Sequence, residues 1–410
     1  MAFSVPVRLG AAENTLIEQL NSAGAAATAE RISVAGLPTR RVESYHYTDL
    51  KTLLRSVPPL ADQNDTLDAF LKSGATPFHV EGAHQITIAN GAVAYDDNAP
   101  AGVIVGKAEG NALSTRDDVL VHLNTALAKE SLTLTIENTI EQVIQIDRRI
   151  EGEAAHVLDS AKIFVADNAS VTILETLSSS DAAHVGNHAT YLAVGRNTVV
   201  THIVIDLSPR AATQFSTSEY TIADGAKLRT VTIHAGAALS RSQIFARFTG
   251  EGAHGDFTGL NLVEDGQHND ITIDIRHGVA NTTSQELYKQ IARGRSKAVF
   301  QGKIVVERDA QKTDAKMMMQ GLMLSNEAEI LSKPELEIYA DDVVCGHGST
   351  CGELDEDSMF YLMSRGIPKA EAETMLVRGF IEEVLDPVEN EALAEALHGV
   401  VDRWLLGKAG

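Results

Sequence analysis

The stretch ADNASVTILETL, residues 166–177, is a small polar corner followed by a β-branched run, and GRNTVVTHIVI, residues 195–205, repeats that order. The theme returns at ADGAK (223–227), which opens KLRTVTIHA, and at GEGAHG (250–255). Corners recurring at intervals of about 28 residues are repeat-protein behaviour. Further out, QITI, SLTLTI, DITIDI and GKIVVE are short runs of the same kind, several alternating apolar and polar residues as a half-buried strand must. No long helical pattern separates them, which argues against a doubly wound α/β sheet. A β-solenoid and a β-sandwich both fit; the steady spacing and small corner residues favour the solenoid. In a parallel β-helix each coil pairs with its neighbours and only the two ends carry unpaired backbone. Those ends must be capped or joined to something, by helical flanks or by a second copy of the same body.

Both flanks read as helical. From Ala11 to about Ser73, Leu16, Leu20 and Ala23 keep helical spacing, and DLKTLL and LDAFL continue the theme. After Gly352, LDEDSMFYLMSRG places Asp355 or Asp357 at an N-cap, an apolar stripe at Met359, Phe360, Leu362 and Met363, and a stop at Arg365 and Gly366. Pro368 suits the first turn of a second helix that Pro387 ends. A third, from about Glu389 to Leu406, carries Leu393, Leu397, Val400, Val401, Trp404 and Leu405. The expected division is therefore a helical region over 1–84, a β core over 85–352, and a helical region over 353–410.

Composition limits the function. Hydrophobic residues make up 44% of the 410, aromatics only 5%, and 56 acidic against 34 basic side chains give a formal charge of -22. Such a field repels phosphate backbones and anionic lipid, so neither nucleic acid nor a membrane surface is an expected partner. The start, MAFSVPVRLGAAENTL, lacks a basic segment followed by an apolar core, and no run approaches the roughly 18 apolar residues of a membrane span. A cytoplasmic chain with reduced thiols is the expectation.

Both cysteines lie in DDVVCGHGSTCG, residues 341–352, with a histidine two places after the first. Thiolate and imidazole suit iron, zinc or copper, and C-x-H spacing puts Cys345 and His347 on one side of an extended segment. With Cys351 the run offers at most three ligands, whereas a structural zinc or an iron–sulfur cluster wants four. A metal bound here would need another chain or a small molecule to complete its shell. The plainer alternative is two packed thiols and an idle surface histidine. His202, His234 and His254 fall on or beside strands and are expected to point outward into solvent. His277 is a candidate for a structural hydrogen bond at a corner. The pairs Asp341–Asp342 and Glu382–Glu383 read as solvated turns and helix faces.

The run LEIYADDVVCGHGSTCGELDEDSMFYLMSRGI closely resembles the C-terminal part of the SufB/SufD family, scaffold subunits of the Suf iron–sulfur cluster assembly machinery. AVFQGKIVVERDAQKTDAKMMMQGLMLSNEAEILSKPELEI and, near the start, RRVESYHYTDLKTLL are similar to that family as well. With no cysteine before Cys345, the chain resembles the SufD rather than the SufB branch. The resemblance implies a right-handed parallel β-helix with helical termini. It implies that His347 faces a SufB-like subunit across a junction, where with Cys345 it shares a transient iron–sulfur cluster or iron. It also implies that the C-terminal helices dock a SufC-like ATPase, with Tyr361, Leu362, Arg365, Gly366, Ile367 and Phe380 as candidate contacts. Cys351 departs from the family pattern, and nothing in the residues speaks for or against a flavin. An imported ATPase agrees with the absence of any G-x-x-x-x-G-K-[ST] loop; GRSK at 294–297 is too short and reads as a basic turn. The implied subunit is a non-catalytic scaffold, pairing with a SufB-like chain or with itself. Two rivals are a scaffold that binds no metal and a carbohydrate-cleaving β-helix enzyme.

Overall fold

The computed structural model describes residues 8–62, 78–96, 98–109 and 116–407; the LDAFL segment lies outside them. Nineteen described strands form two facing sheets, one of the odd-numbered strands from β5 (Ile140–Ile150) to β19 (Val344–Glu353) with β1 (His84–Ala89) and β2 (Ala92–Ala94), the other of the even-numbered strands from β4 (Glu130–Ile136) to β18 (Glu329–Ile338) with β3 (Val103–Glu109). Successive strands alternate between the sheets, so each coil contributes one strand to each. From β7 (Ser170–Ser179), Ser170 pairs in parallel with Val199 of β9, then Lys227 of β11, His254 of β13, Thr283 of β15, Asp314 of β17 and Val344 of β19. This is the solenoid; a sandwich would pair antiparallel strands.

The corners explain the repeat. Asn168, Asn197, Gly225, Gly252, Asn281 and Lys312 occupy equivalent positions, all with φ between 54° and 68°. Glycine reaches that region without strain and asparagine tolerates it, which is why ADNAS, GRNT and ADGAK recur. The corners are also laddered: the Asn168 amide donates to the Arg196 carbonyl at 2.8 Å and Asn197 to Asp224 at 2.9 Å.

The two ends differ. At the first, β1 (His84–Ala89) pairs antiparallel with the three-residue β2 (Ala92–Ala94), and β3 (Val103–Glu109) pairs antiparallel with β4 (Glu130–Ile136). At the other, β18 (Glu329–Ile338) and β19 (Val344–Glu353) each have, among the described residues, a partner on one side only.

The helices sheathe the flanks. Helices α1 (Ala11–Ser22) and α2 (Ala26–Ala35), with the short α3 (Leu50–Leu53) and α4 (Val119–Leu127), bring Leu16, Leu20, Ile32, Leu50 and Leu120 into one cluster with Leu158, Val185, Phe215 and Leu239 of the even sheet. Arg241 is fully buried there, paired with Asp270, donating to the Ser44 carbonyl at 2.8 Å, with its guanidinium 4.4 Å from the Tyr45 ring. The RRVESYHYT segment thus straps the N-terminal region to the solenoid. On the opposite sheet lie α6 (Lys369–Leu385) and α7 (Glu391–Leu405). Their Val377, Ile381, Leu393, Leu397 and Trp404 pack with Ile203, Ile205, Val231, Ile233, Leu260 and Leu262. These two helices cover a sheet face rather than an end. Among the described residues no helix is long and apolar enough to cross a membrane.

That covering corrects the reading of two histidines. Strand β9 (Val199–Asp206) is buried on both faces: Ile203 and Ile205 lie under the helices, while Val200 belongs to the interior core. His202, in phase with Val200, points inward and is fully buried, and His234 follows the same logic on β11 (Lys227–His234). His254 is half-exposed, bonded to Thr283 at 2.7 Å and Asp256 at 2.9 Å. His277 makes the structural hydrogen bonds expected of it, to Thr282 at 2.8 Å and Ser284 at 3.0 Å, and stacks on Phe248.

Candidate functional site at the open end

Strand β19 is the last coil, and its register fixes the site. Cys345 sits over Ala315, His347 over Met317 and Cys351 over Gly321 of β17 (Asp314–Met323). Ala315, Met317 and Met319 belong to the interior core, so the odd positions of β19 continue the inward-facing set past the last complete coil. Cys345 is half-buried against that core, whereas His347 and Cys351 are exposed. Both thiols are free.

Strand geometry separates the three. At about 3.3 Å per residue, Cys345 and His347 are about 7 Å apart along one face, within the span of a single metal ion. Cys351 lies about 13 Å beyond His347 and about 20 Å from Cys345, too far to share that ion or to close a disulfide. Instead its sulfur fills the space above Gly321, where a Cβ would stand 2.6 Å from it. The glycines between the ligands bare the other side of the strand: a Cβ on Gly346 would meet nothing within 4 Å. Burial pushes the Cys345 thiol up, the Ala315 amide opposes that, and the Asp314 carboxylate adds to it. Among the described residues no three His, Cys, Asp or Glu side chains converge tightly enough to hold a metal. What the chain offers is a pair.

Beyond the strand, Asp355 caps α5 (Glu356–Ser364), accepting from the Ser358 amide at 2.7 Å. Not one residue of this helix is buried. Phe360 is 75% and Tyr361 56% exposed, and the Arg365 guanidinium lies 5.1 Å from the Tyr361 ring. Leu362 and Ile367 are half-exposed, and Gly366, at φ 88°, ends the helix. Phe380 differs from these. It packs against the α6–α7 layer, with the Lys289 ammonium 4.9 Å from its ring. A groove of about 480 Å³ between α5 and the last coil is lined by Met323, Leu354, Met359, Phe360 and Met363. Sequence reasoning had counted Phe360 and Met363 as a stripe without assigning them a surface; their exposure becomes evident once α6 and α7 have filled the sheet face.

A buried polar network inside the solenoid also escaped the sequence. Arg148 pairs with Asp159, reaches Glu175 at 2.9 Å and donates to Thr190 at 2.8 Å. His188 meets Asp159 at 2.7 Å, and His202 bridges Glu175 at 3.1 Å and Tyr220 at 2.7 Å. Burial alone would raise the Glu175 pKa, but Arg148 and His202 hold its carboxyl well below the usual range. The network is sealed and its members are paired, which marks it as structural.

A parallel β-solenoid sheathed by helices, with a thiol–imidazole pair on the edge strand of its last coil, defines a class of repeat-built protein. Comparison assigns the family. The family model described as SUF system FeS cluster assembly, SufBD core domain, matches residues 148–380, and the chain belongs to that family. It is 27% identical to the iron–sulfur cluster assembly protein SufD of Escherichia coli over 91% of this chain and 90% of that protein. It is also 27% identical to an iron–sulfur cluster assembly SufBD family protein of Synechocystis, over 89% and 87% respectively.

Proposed function

We propose that this chain is a scaffold subunit that lends Cys345 and His347 to an iron–sulfur site completed by a second, SufB-like chain. The observation that carries the reading is the thiol–imidazole pair on the inward face of the last strand, at an edge that, among the described residues, has no partner strand and no third candidate ligand converging on it. Iron and sulfide are cargo, held between thiolate, neutral imidazole and the partner's ligands. The free edges of β18 and β19, with Tyr339 and Val344 exposed beside them, are the surface through which the partner is joined. A SufC-like ATPase docks on α5 and the groove beneath it. Nucleotide binding draws two such ATPases together, pulls on the helices they hold, and shifts the junction so that iron and sulfide enter. The chain itself contributes no catalytic group.

His347→Ala in the purified complex is expected to cut cluster yield and bound iron at least tenfold, and Cys345→Ser likewise, with unfolding midpoints unchanged. Wild-type cluster and iron content in both variants would leave only a metal-free scaffold. The docking surface is tested by Tyr361→Ala with Arg365→Glu. Because α5 buries nothing, stability should move by no more than about 0.5 kcal/mol, while the ATPase no longer co-purifies. Undiminished co-purification removes α5 from the interface. Phe380 is a poorer probe, since its truncation would also disturb the α6 packing.

A further inference from the structure

Beneath the open end lies a carboxyl that nothing neutralises. Glu286, on β15 (Thr283–Ala292), is 1% exposed, and neither of its oxygens has a hydrogen-bond partner of normal geometry. In register it follows Phe257 of β13 (His254–Val263) and precedes Met317 of β17, which in turn lies under His347. Two strand spacings, about 10 Å, therefore separate it from His347. The facing sheet contributes Ile271, Ile273, Ile275, Phe300 and Ile304 to the same interior core as Met317. The titratable and polar groups around it are Tyr288, whose hydroxyl is also unpartnered, Ser284 with His277 behind it, Asp256 on β13, and Cys345 above. None is a fixed cation, and among the described residues no ion pair includes Glu286. A carboxylate sealed in an apolar cavity without a countercharge is costly, so the acid form is the resting one. Burial raises its pKa to about 8.

We propose that Glu286 is a buried countercharge for the metal cation bound by Cys345 and His347: the neutral acid at rest, ionising with loss of one proton when the cation arrives. The inference rests on the reading of that pair as metal ligands. The Glu286 O–H bond breaks, its electron pair stays on the carboxylate, and the proton passes to bulk solvent. At about 10 Å through protein, the resulting attraction is worth about tenfold in affinity.

The test titrates the full-length chain with Co²⁺, in wild type and in Glu286→Gln, an isosteric neutral replacement. Calorimetry at pH 7 in buffers of different ionisation enthalpy counts the protons released per metal. Wild type is expected to release about half a proton more per metal than E286Q, because a tenfold coupling leaves the acid about half ionised at pH 7, and to bind Co²⁺ about tenfold more tightly at pH 8.5. Urea unfolding without metal provides the control: wild type should lose stability relative to E286Q as pH rises from 5 to 9. If the unfolding curves diverge as expected but proton count and affinity match, Glu286 is only a neutral core acid and the proposal fails. If the unfolding curves stay parallel, its resting state is not the neutral acid, and the proposal fails there. If wild type binds no Co²⁺, Glu286 has no cation to answer in this chain and the inference fails; if Co²⁺ binds equally well with Cys345→Ser and His347→Ala, the metal reading falls and this inference with it.

Discussion

Arg148→Met should destabilise the chain by about 3–5 kcal/mol, the cost of leaving buried carboxylates without their cation. Asp159, Glu175 and Arg148 are each almost wholly removed from solvent, and the guanidinium is shared among both carboxylates and Thr190. Methionine fills most of the volume, so the loss would be electrostatic rather than a cavity effect. The measurement is the urea midpoint of the purified chain. Adding Asp159→Asn and Glu175→Gln should return much of the loss, because it is the unmatched charges, more than the missing bonds, that destabilise. A single-variant effect below about 1 kcal/mol would mean that water reaches the network and screens it.

Acid should unfold the protein well before its carboxylates titrate. Burial pushes His156 and His277 down to about 3 and His268 to about 4, each from 6.5. These are bases with depressed folded-state values, so below pH 6.5 the unfolded chain binds more protons and stability falls as pH falls. Each histidine costs up to about 1.4 kcal/mol per pH unit in that window, so the three together remove about 5 kcal/mol between pH 6.5 and pH 5, of which the raised pKa of Glu286 returns about 2 kcal/mol. His188 is also pushed down to about 3, by burial and by Arg148, and its bond to Asp159 ties its share to the network. Urea midpoints at pH 7, 6 and 5 check this. His156→Gln, which keeps a partner for Gln19, should flatten the slope by about a third. A stability constant from pH 7 to 5 would show that these imidazoles reach solvent.

What the sequence made legible were features with a local cause. The corners are readable because a left-handed residue must stand at each, and Asn168, Asn197 and Gly225 supply it. Asp355 reads as a cap because its carboxylate reaches an amide three residues on. Leu393, Leu397, Val400 and Trp404 read as one helix face because 3.6 residues make a turn, and all four are buried. His202 was misread because alternation fails on a strand covered on both sides; the helices that cover it come almost two hundred residues later. Arg148 and Glu175 meet because they sit about one coil apart, a relation that appears only once the register is known. Cys345 and His347 were legible as a pair from their spacing, while the reach of Cys351 depended on knowing that the whole run is extended.

The antiparallel pairings at the first end of the solenoid have a consequence for assembly. The strands outermost there, β2 and β3, are short and run against the grain of the coils, so another chain finds no matching template on them. Under the proposed pairing, a body with one long free edge and one blunted one would meet a single mate and stop growing, which closes the assembly at two bodies instead of extending it into a fibre.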